Sequence, residues 1–319
     1  MIWMPGKTYR GALPPLDSEQ EKISQELRRD IEKLATEIGE RNIWRLASLE
    51  ATAVYIEQEF RSVGYEVERH GYEVENATYY NLIAEIRGTA RPDEIVIVGA
   101  HYDTVADCAG ANDNGSGVAA LLALARAFAA KQTDRTLRFV AFVNEEAPFF
   151  IEGTMGSMAY AARCRERNER IVAMMSLETI GYYSDEKGSQ KYPPPFNLFY
   201  PSEGNFVAFV ANNASRKLVR QVVGSFRQHA KFPSEGVATF EGIQGIGWSD
   251  HRSFWMHGYP ALMVTDTALF RYPFYHTSLD TADRIRYDHL ARVVKGLEAV
   301  VCDLACGTDR VIIGTSKSQ

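Results

Sequence analysis

With 319 residues, 45% of them hydrophobic and 24% charged, the chain has the composition of a soluble globular protein and enough material for a large α/β core. Its net charge of -6, from 41 acidic against 35 basic residues, speaks against nucleic acid or an anionic membrane surface as the partner. The four cysteines, Cys108, Cys164, Cys302 and Cys306, form no CxxC pair or Cys/His cluster, which excludes a thiolate zinc site and a disulfide scaffold.

The N-terminus, Met1 to Lys7, lacks the apolar stretch of a signal peptide, and no apolar run approaches the ~20 residues of a membrane span. The chain as written is therefore expected to be cytoplasmic, with export left open for a longer form. Residues 18–38 and 51–63 carry apolar side chains at helical spacing among many charges and predict amphipathic helices. Residues 65–74 and 80–86 alternate as strands do. Residues 94–100, with Ile95, Val96, Ile97 and Val98, form a nearly continuous apolar run, as expected of a strand buried on both faces. The Ala/Leu-rich stretch 115–130 reads as a helix, followed by a strand at 137–143, a helix near 156–163 and a strand at 171–177. Residues 184–205, with Pro193-Pro194-Pro195, break the rhythm as a surface insertion. Strand, helix, strand and helix resume at 206–210, 215–229, 261–265 and 287–305. The alternation predicts a mostly parallel sheet with helices on both faces. No linker separates two units that could each own a core, so residues 46–319 are expected to form one domain, with 1–45 as an extension whose helix packs on it.

Reactive side chains gather where these strands end. His101-Tyr102-Asp103 follows the strand at 94–100, Asn144-Glu145-Glu146 the strand at 137–143, and Glu178 the strand from 171; Tyr275-His276 lies in the loop after 261–265. Asn112-Asp113-Asn114-Gly115 opens a helix. Ligands of open α/β sheets collect outside the carboxyl ends of the strands, so these segments are expected to converge. Taken singly, they read as ordinary turns, caps or solvated surface. Together they do not, because charged residues rarely terminate buried apolar strands without a partner or a metal.

Two imidazoles and three carboxylates without a thiol suit zinc, with cobalt or manganese as substitutes. A carboxylate such as Asp113 can bridge two ions, and paired metals can bind hydroxide and polarise a carbonyl together. Asp103, two residues after His101, is close enough to accept the imidazole's other N–H. In the doublet Glu145-Glu146, neighbouring side chains diverge, so one can ligate metal while the other serves as general base. The remaining histidines, His70, His229, His257 and His289, are expected at the surface, and Cys108 at the edge of the site.

His101-Tyr102-Asp103-Thr104, Gly110-Ala111-Asn112-Asp113-Asn114-Gly115-Ser116-Gly117, Asn144-Glu145-Glu146, Gly156-Ser157, Ile180-Gly181-Tyr182 and Tyr275-His276-Thr277 with Asp280-Thr281 resemble, in content and order, the M28 family of metallopeptidases. The similarity covers roughly residues 50–305. It implies a three-layer α/β sandwich around a mixed sheet, a co-catalytic site of two zinc ions, and aminopeptidase rather than carboxypeptidase action on a peptide or aminoacyl substrate. It further implies that His101 and Glu178 hold one metal, Glu146 and His276 the other, and that Asp113 bridges them. Glu145 would be the general base, Asp103 would orient His101, and Tyr275 would donate to the oxyanion. At the position of Glu178 such enzymes more often carry aspartate, which bears on the spacing of the site and its metal preference. Ser249-Asp250-His251 resembles segments both of these peptidases and of glutaminyl cyclases, which share the fold and use one zinc; a single-zinc acyltransferase is the alternative activity. For Asp250 two roles stand level: support of the site or substrate contact, and a cap for a helix at 252–257. The oligomeric state is not set by the sequence.

Overall fold

The computed structural model describes residues 3–306; residues 1–2 and 307–319, the outer ends of the two segments expected from the sequence, lie outside them. The chain begins with α1 (Ser18–Ile31), whose first turn is closed by a capping box: Asp17 accepts from the Gln20 backbone N–H at 2.8 Å, and Gln20 reciprocates. The helix runs on as a π-helical stretch, Glu32–Ile38, so residues 18–38 are two forms of helix and not one. After α2 (Leu46–Ser62), β1 (Val67–Val74) and β2 (Ala77–Ile86) form a hairpin. Its turn residues Glu75 and Asn76 both take positive φ, the requirement of a two-residue hairpin loop.

The alternating part follows as β3 (Arg91–His101), α3 (Gly115–Phe128), β4 (Arg135–Phe142), the short α4 (Phe149–Glu152), α5 (Gly156–Glu166) and β5 (Arg170–Glu178). Beyond the 184–205 segment come β6 (Val207–Asn212), α6 (Arg216–His229), β7 (Ser234–Thr239), α7 (His251–Met256), β8 (Ala261–Thr265) and α8 (Tyr287–Cys306). None of the described helices is long and apolar enough to cross a membrane.

The eight strands form one mixed sheet in the order β1-β2-β4-β3-β5-β8-β6-β7. The centre, β4-β3-β5-β8, is parallel throughout; the hairpin joins β4 antiparallel on one side, and β6 joins β8 antiparallel on the other. Helices cover both faces. Phe139 and Phe142, three apart on β4 and so on opposite faces, pack respectively against Phe128 of α3 and against Tyr160 of α5 and Phe254 of α7. Ile95 to Val98 of β3 are buried, as their apolar run requires.

Strand β7 is absent from the sequence reading. Ser-Glu-Gly-Val-Ala-Thr has no apolar run; it is a strand because it edges β6, with Met4 and Val223 packed where a Cβ on Gly236 would stand. His289 also departs from expectation: it is buried, stacked on Tyr183 with centroids 5.2 Å apart and edge-on to Phe232.

Candidate metal centre

Four adjacent strands bring the charged residues together. His101 ends β3, Glu178 ends its neighbour β5, Glu145 and Glu146 follow β4 on the other side of β3, and the loop after β8 carries Tyr275 and His276. Asp113 arrives from the loop that enters α3, whose N-terminus is fixed by Asn114. That side chain accepts from the N–H groups of Gly117 and Thr179 and donates to the Leu177 carbonyl, tying the start of α3 to the end of β5.

Two triplets of potential ligands share Asp113: His101, Asp113 and Glu178, and Asp113, Glu146 and His276. In the first, His101 Nε2 lies 3.4 Å from Asp113 Oδ1 and 3.2 Å from Glu178 Oε2. In the second, His276 Nε2 lies 3.0 Å from Asp113 Oδ2 and 3.4 Å from Glu146 Oε1. Both Asp113 oxygens and Glu146 Oε1 are buried without a hydrogen-bond partner. Buried carboxylate oxygens normally find donors, so atoms left bare and aimed at one another fit cations between them. An N/O donor set of this kind suits zinc.

The electrostatics carry the same strain. Burial alone would raise Asp113, yet the imidazoles of His101 and His276 hold it well below the usual carboxylate range. Burial would lower His276, but Asp113 and Glu146 push it up to about 11. Glu146 is raised to about 7, by burial first and then by Asp113. Glu145 stands well above the carboxylate range, through burial and the facing carboxylates of Glu146, Glu178 and Asp250. Burial with four carboxylates nearby drives Tyr275 far above the normal phenol range, so it keeps its proton; its ring stacks on His276 with centroids 3.8 Å apart.

The residues behind the ligands are partly those expected. Asp103 Oδ1 lies 3.5 Å from His101 Nδ1, but its hydrogen bonds go elsewhere: the carboxylate accepts from the backbone N–H of Glu145 and of Glu146, both at 3.0 Å. Asp250 makes no cap hydrogen bond to α7; its two oxygens are buried without partners, and burial, against the pull of His101, raises it to about 7. Ser249, named in the sequence only as part of its segment, donates to Glu178 Oε2 at 2.8 Å.

Other supports were missed. Asp280 accepts from the N–H groups of Asn112 and Asp113 and from Tyr272, and the Cys108 thiol lies 4.0 Å away. Asp266 accepts from the Asn112 side chain and the Tyr182 N–H. Asp266 stands directly after the apolar β8, the same signal that marked His101, and could have been found by it.

A pocket of about 800 Å³, counted to its open mouth, adjoins the centre, with Glu178 and Tyr275 on its wall. Tyr192, Phe196 and Tyr200 of the 184–205 segment line it together with Phe206, Ile246 and Trp248. The segment doubles back on itself through Ser184 to Gly204 and Gln190 to Ser202 backbone bonds, which brings its aromatic residues to the pocket.

The family model described as Peptidase family M28 matches residues 81–301. The uncharacterized protein YfbL of Escherichia coli is 36% identical over 282 residues, covering 86% of each chain. Leucine aminopeptidase 1 of Arthroderma otae is 28% identical over 72% of this chain, which spans 59% of that relative's length. Among solved structures, the Bacillus subtilis zinc aminopeptidase superposes with a TM-score of 0.70 at 17% identity, covering 90% of this chain and 96% of that one. Macrostomum lignano glutaminyl cyclase superposes at 0.67 and 18%, covering 93% and 96%. At such identities the structural likeness establishes the fold.

Proposed function

The chain belongs to peptidase family M28, and from that membership we propose that it is an aminopeptidase working with two zinc ions. The observation that carries the reading is the pair of triplets sharing Asp113, with its buried oxygens bare. His101 and Glu178 would hold one ion, Glu146 and His276 the other, and Asp113 both. Zinc held there supplies Lewis acidity to the scissile carbonyl and to the attacking water.

The side chains of the protein do the rest. Glu145 takes a proton from the water and returns it to the leaving amine, serving first as base and then as acid. Tyr275, which retains its proton, donates to the developing oxyanion. The adjoining pocket, walled by aromatic rings, accepts a large apolar or aromatic side chain of the terminal residue.

The test is elemental analysis of reconstituted protein beside a panel of aminoacyl amides. Two zinc ions per chain and cleavage of leucyl and phenylalanyl amides, with N-acetylated amides untouched, are expected. One zinc at full activity, with cyclisation of N-terminal glutamine, would replace the reading by the acyltransferase.

A further inference from the structure

Arg41 lies in the N-terminal segment between the π-helical stretch and α2, and its side chain is fully buried. Among the described residues it makes no ion pair with a carboxylate. Its guanidinium instead spans the loop that joins His101 to Asp113. Nε donates to the Tyr102 carbonyl at 2.7 Å, Nη1 to Ala109 at 2.6 Å and Nη2 to Gly110 at 2.8 Å. The backbone of Arg41 grips the same loop between those points, its N–H donating to Thr104 Oγ1 and its carbonyl accepting from the Thr104 N–H. Two further carbonyls, of Leu34 and Gly39, complete the shell and anchor the group to its own segment.

The loop is built to admit this group. Gly110 has φ +63°, and a Cβ there would stand 3.1 Å from Arg41 Nη2 and 2.4 Å from the Asp113 carbonyl. Burying a charged group without a paired anion is costly, and here main-chain carbonyls take the place of the anion. The acidic groups that act on it electrostatically include Asp103 and Asp113 of the centre, beside Asp280 and Cys108.

We propose that Arg41 is a positioning residue of the metal centre: it clamps the 102–110 loop at both ends and so sets the distance between His101 and Asp113, which rests on the two-metal reading above. Only a planar fork reaches three carbonyls that diverge this way. A lysine ammonium is a single point and cannot replace it.

The experiment compares Arg41→Met, Arg41→Lys and, as a control, Leu27→Ala, which opens a hole in the buried face of α1 and removes none of the loop's hydrogen bonds. Two quantities are read: hydrogen exchange at the Thr104 and Gly115 amides in metal-free protein, and zinc affinity by chelator competition. In Arg41→Met both amides should exchange faster while α8 stays protected, and zinc should bind about 10–100-fold more weakly, the usual loss when a group that holds ligands in place is removed. Arg41→Lys should fall with Arg41→Met. Leu27→Ala should lower the melting temperature and leave both readouts unchanged. Unaltered zinc affinity in Arg41→Met, full rescue by lysine, or an equal loss in Leu27→Ala would overturn the proposal. Wild-type protein that takes up no zinc would sink the two-metal reading instead; the exchange rates would then still decide whether Arg41 fastens the loop.

Discussion

At position 178 the side chain is one methylene longer than an aspartate, and the structure shows what the extra length reaches. Glu178 Oε2 sits 3.2 Å from His101 Nε2 while accepting from Ser249, which in turn meets Ser176. An aspartate at the end of β5 would fall short of one partner or the other. Glu178→Asp should therefore weaken zinc at the His101 side of the centre more than at the His276 side, an order that metal titration with a spectroscopic cobalt substitute would reveal. Equal weakening at both would show that the longer side chain is not adapted to this spacing. Glu145→Gln tests the neighbouring assignment. The amide keeps the shape and cannot accept the proton, so turnover should fall by at least ~10²-fold with zinc content intact. Loss of zinc instead would exchange the roles of Glu145 and Glu146.

The junction of α3 with β5 is the element on which both triplets depend. Asp113 precedes the helix, Glu178 ends the strand, and Gly117 is where they touch: a Cβ there would stand 2.3 Å from Asn114 Oδ1 and 2.4 Å from the Leu177 carbonyl. Backbone on that side cannot yield as a flexible side chain would. Gly117→Ala should cost about 1–3 kcal/mol of stability, the usual scale of overpacking, and should weaken zinc by moving Asp113 from Glu178; a denaturation midpoint and a zinc titration read the two effects. Elements of this kind were legible in the sequence where chemistry and burial coincide. The apolar run before His101 and the Ala/Leu-rich helix after Asp113 announce themselves, and the charges at their ends mark the centre. What holds the centre was not legible, because it works through the main chain. Arg41 binds carbonyls, and Asp103 and Asp280 bind N–H groups, so no side-chain pattern records their partners. Strand β7 escaped for a related reason: its pairing with β6 comes from the tertiary fold and not from its own residues.

Across the whole molecule, the centre concentrates buried acid in a chain that is already acidic, and stability must follow pH accordingly. Burial raises Asp250 to about 7, Glu146 to about 7, and Asp266 and Asp280 each to about 6, all above their ordinary values of 3.8 or 4.5. A carboxyl group raised in the folded state keeps its proton after the unfolded chain has released its own. Its contribution is intact below pH ~4 and is lost as pH climbs towards 7. His276, raised to about 11, works in the same direction above its ordinary 6.5. His70 and His251, which burial lowers to about 4, work the other way below their ordinary 6.5, so metal-free protein should melt progressively lower from pH 6.5 to pH 8. Zinc held at the proposed site would reverse the balance, because it binds deprotonated ligands and stabilises only the folded chain, by about 4 kcal/mol at a thousandfold excess over its Kd. The drop in melting temperature caused by a chelator should thus be small at pH 5 and large at pH 8. Asp250→Asn separates the two contributions, since Asp250 is assigned to neither triplet: it should flatten part of the slope in metal-free protein through loss of one buried charge. Calorimetry at pH 5, 7 and 8, with and without chelator, reads all of these, and a metal-free protein whose stability rises from pH 7 to pH 8 would refute the account.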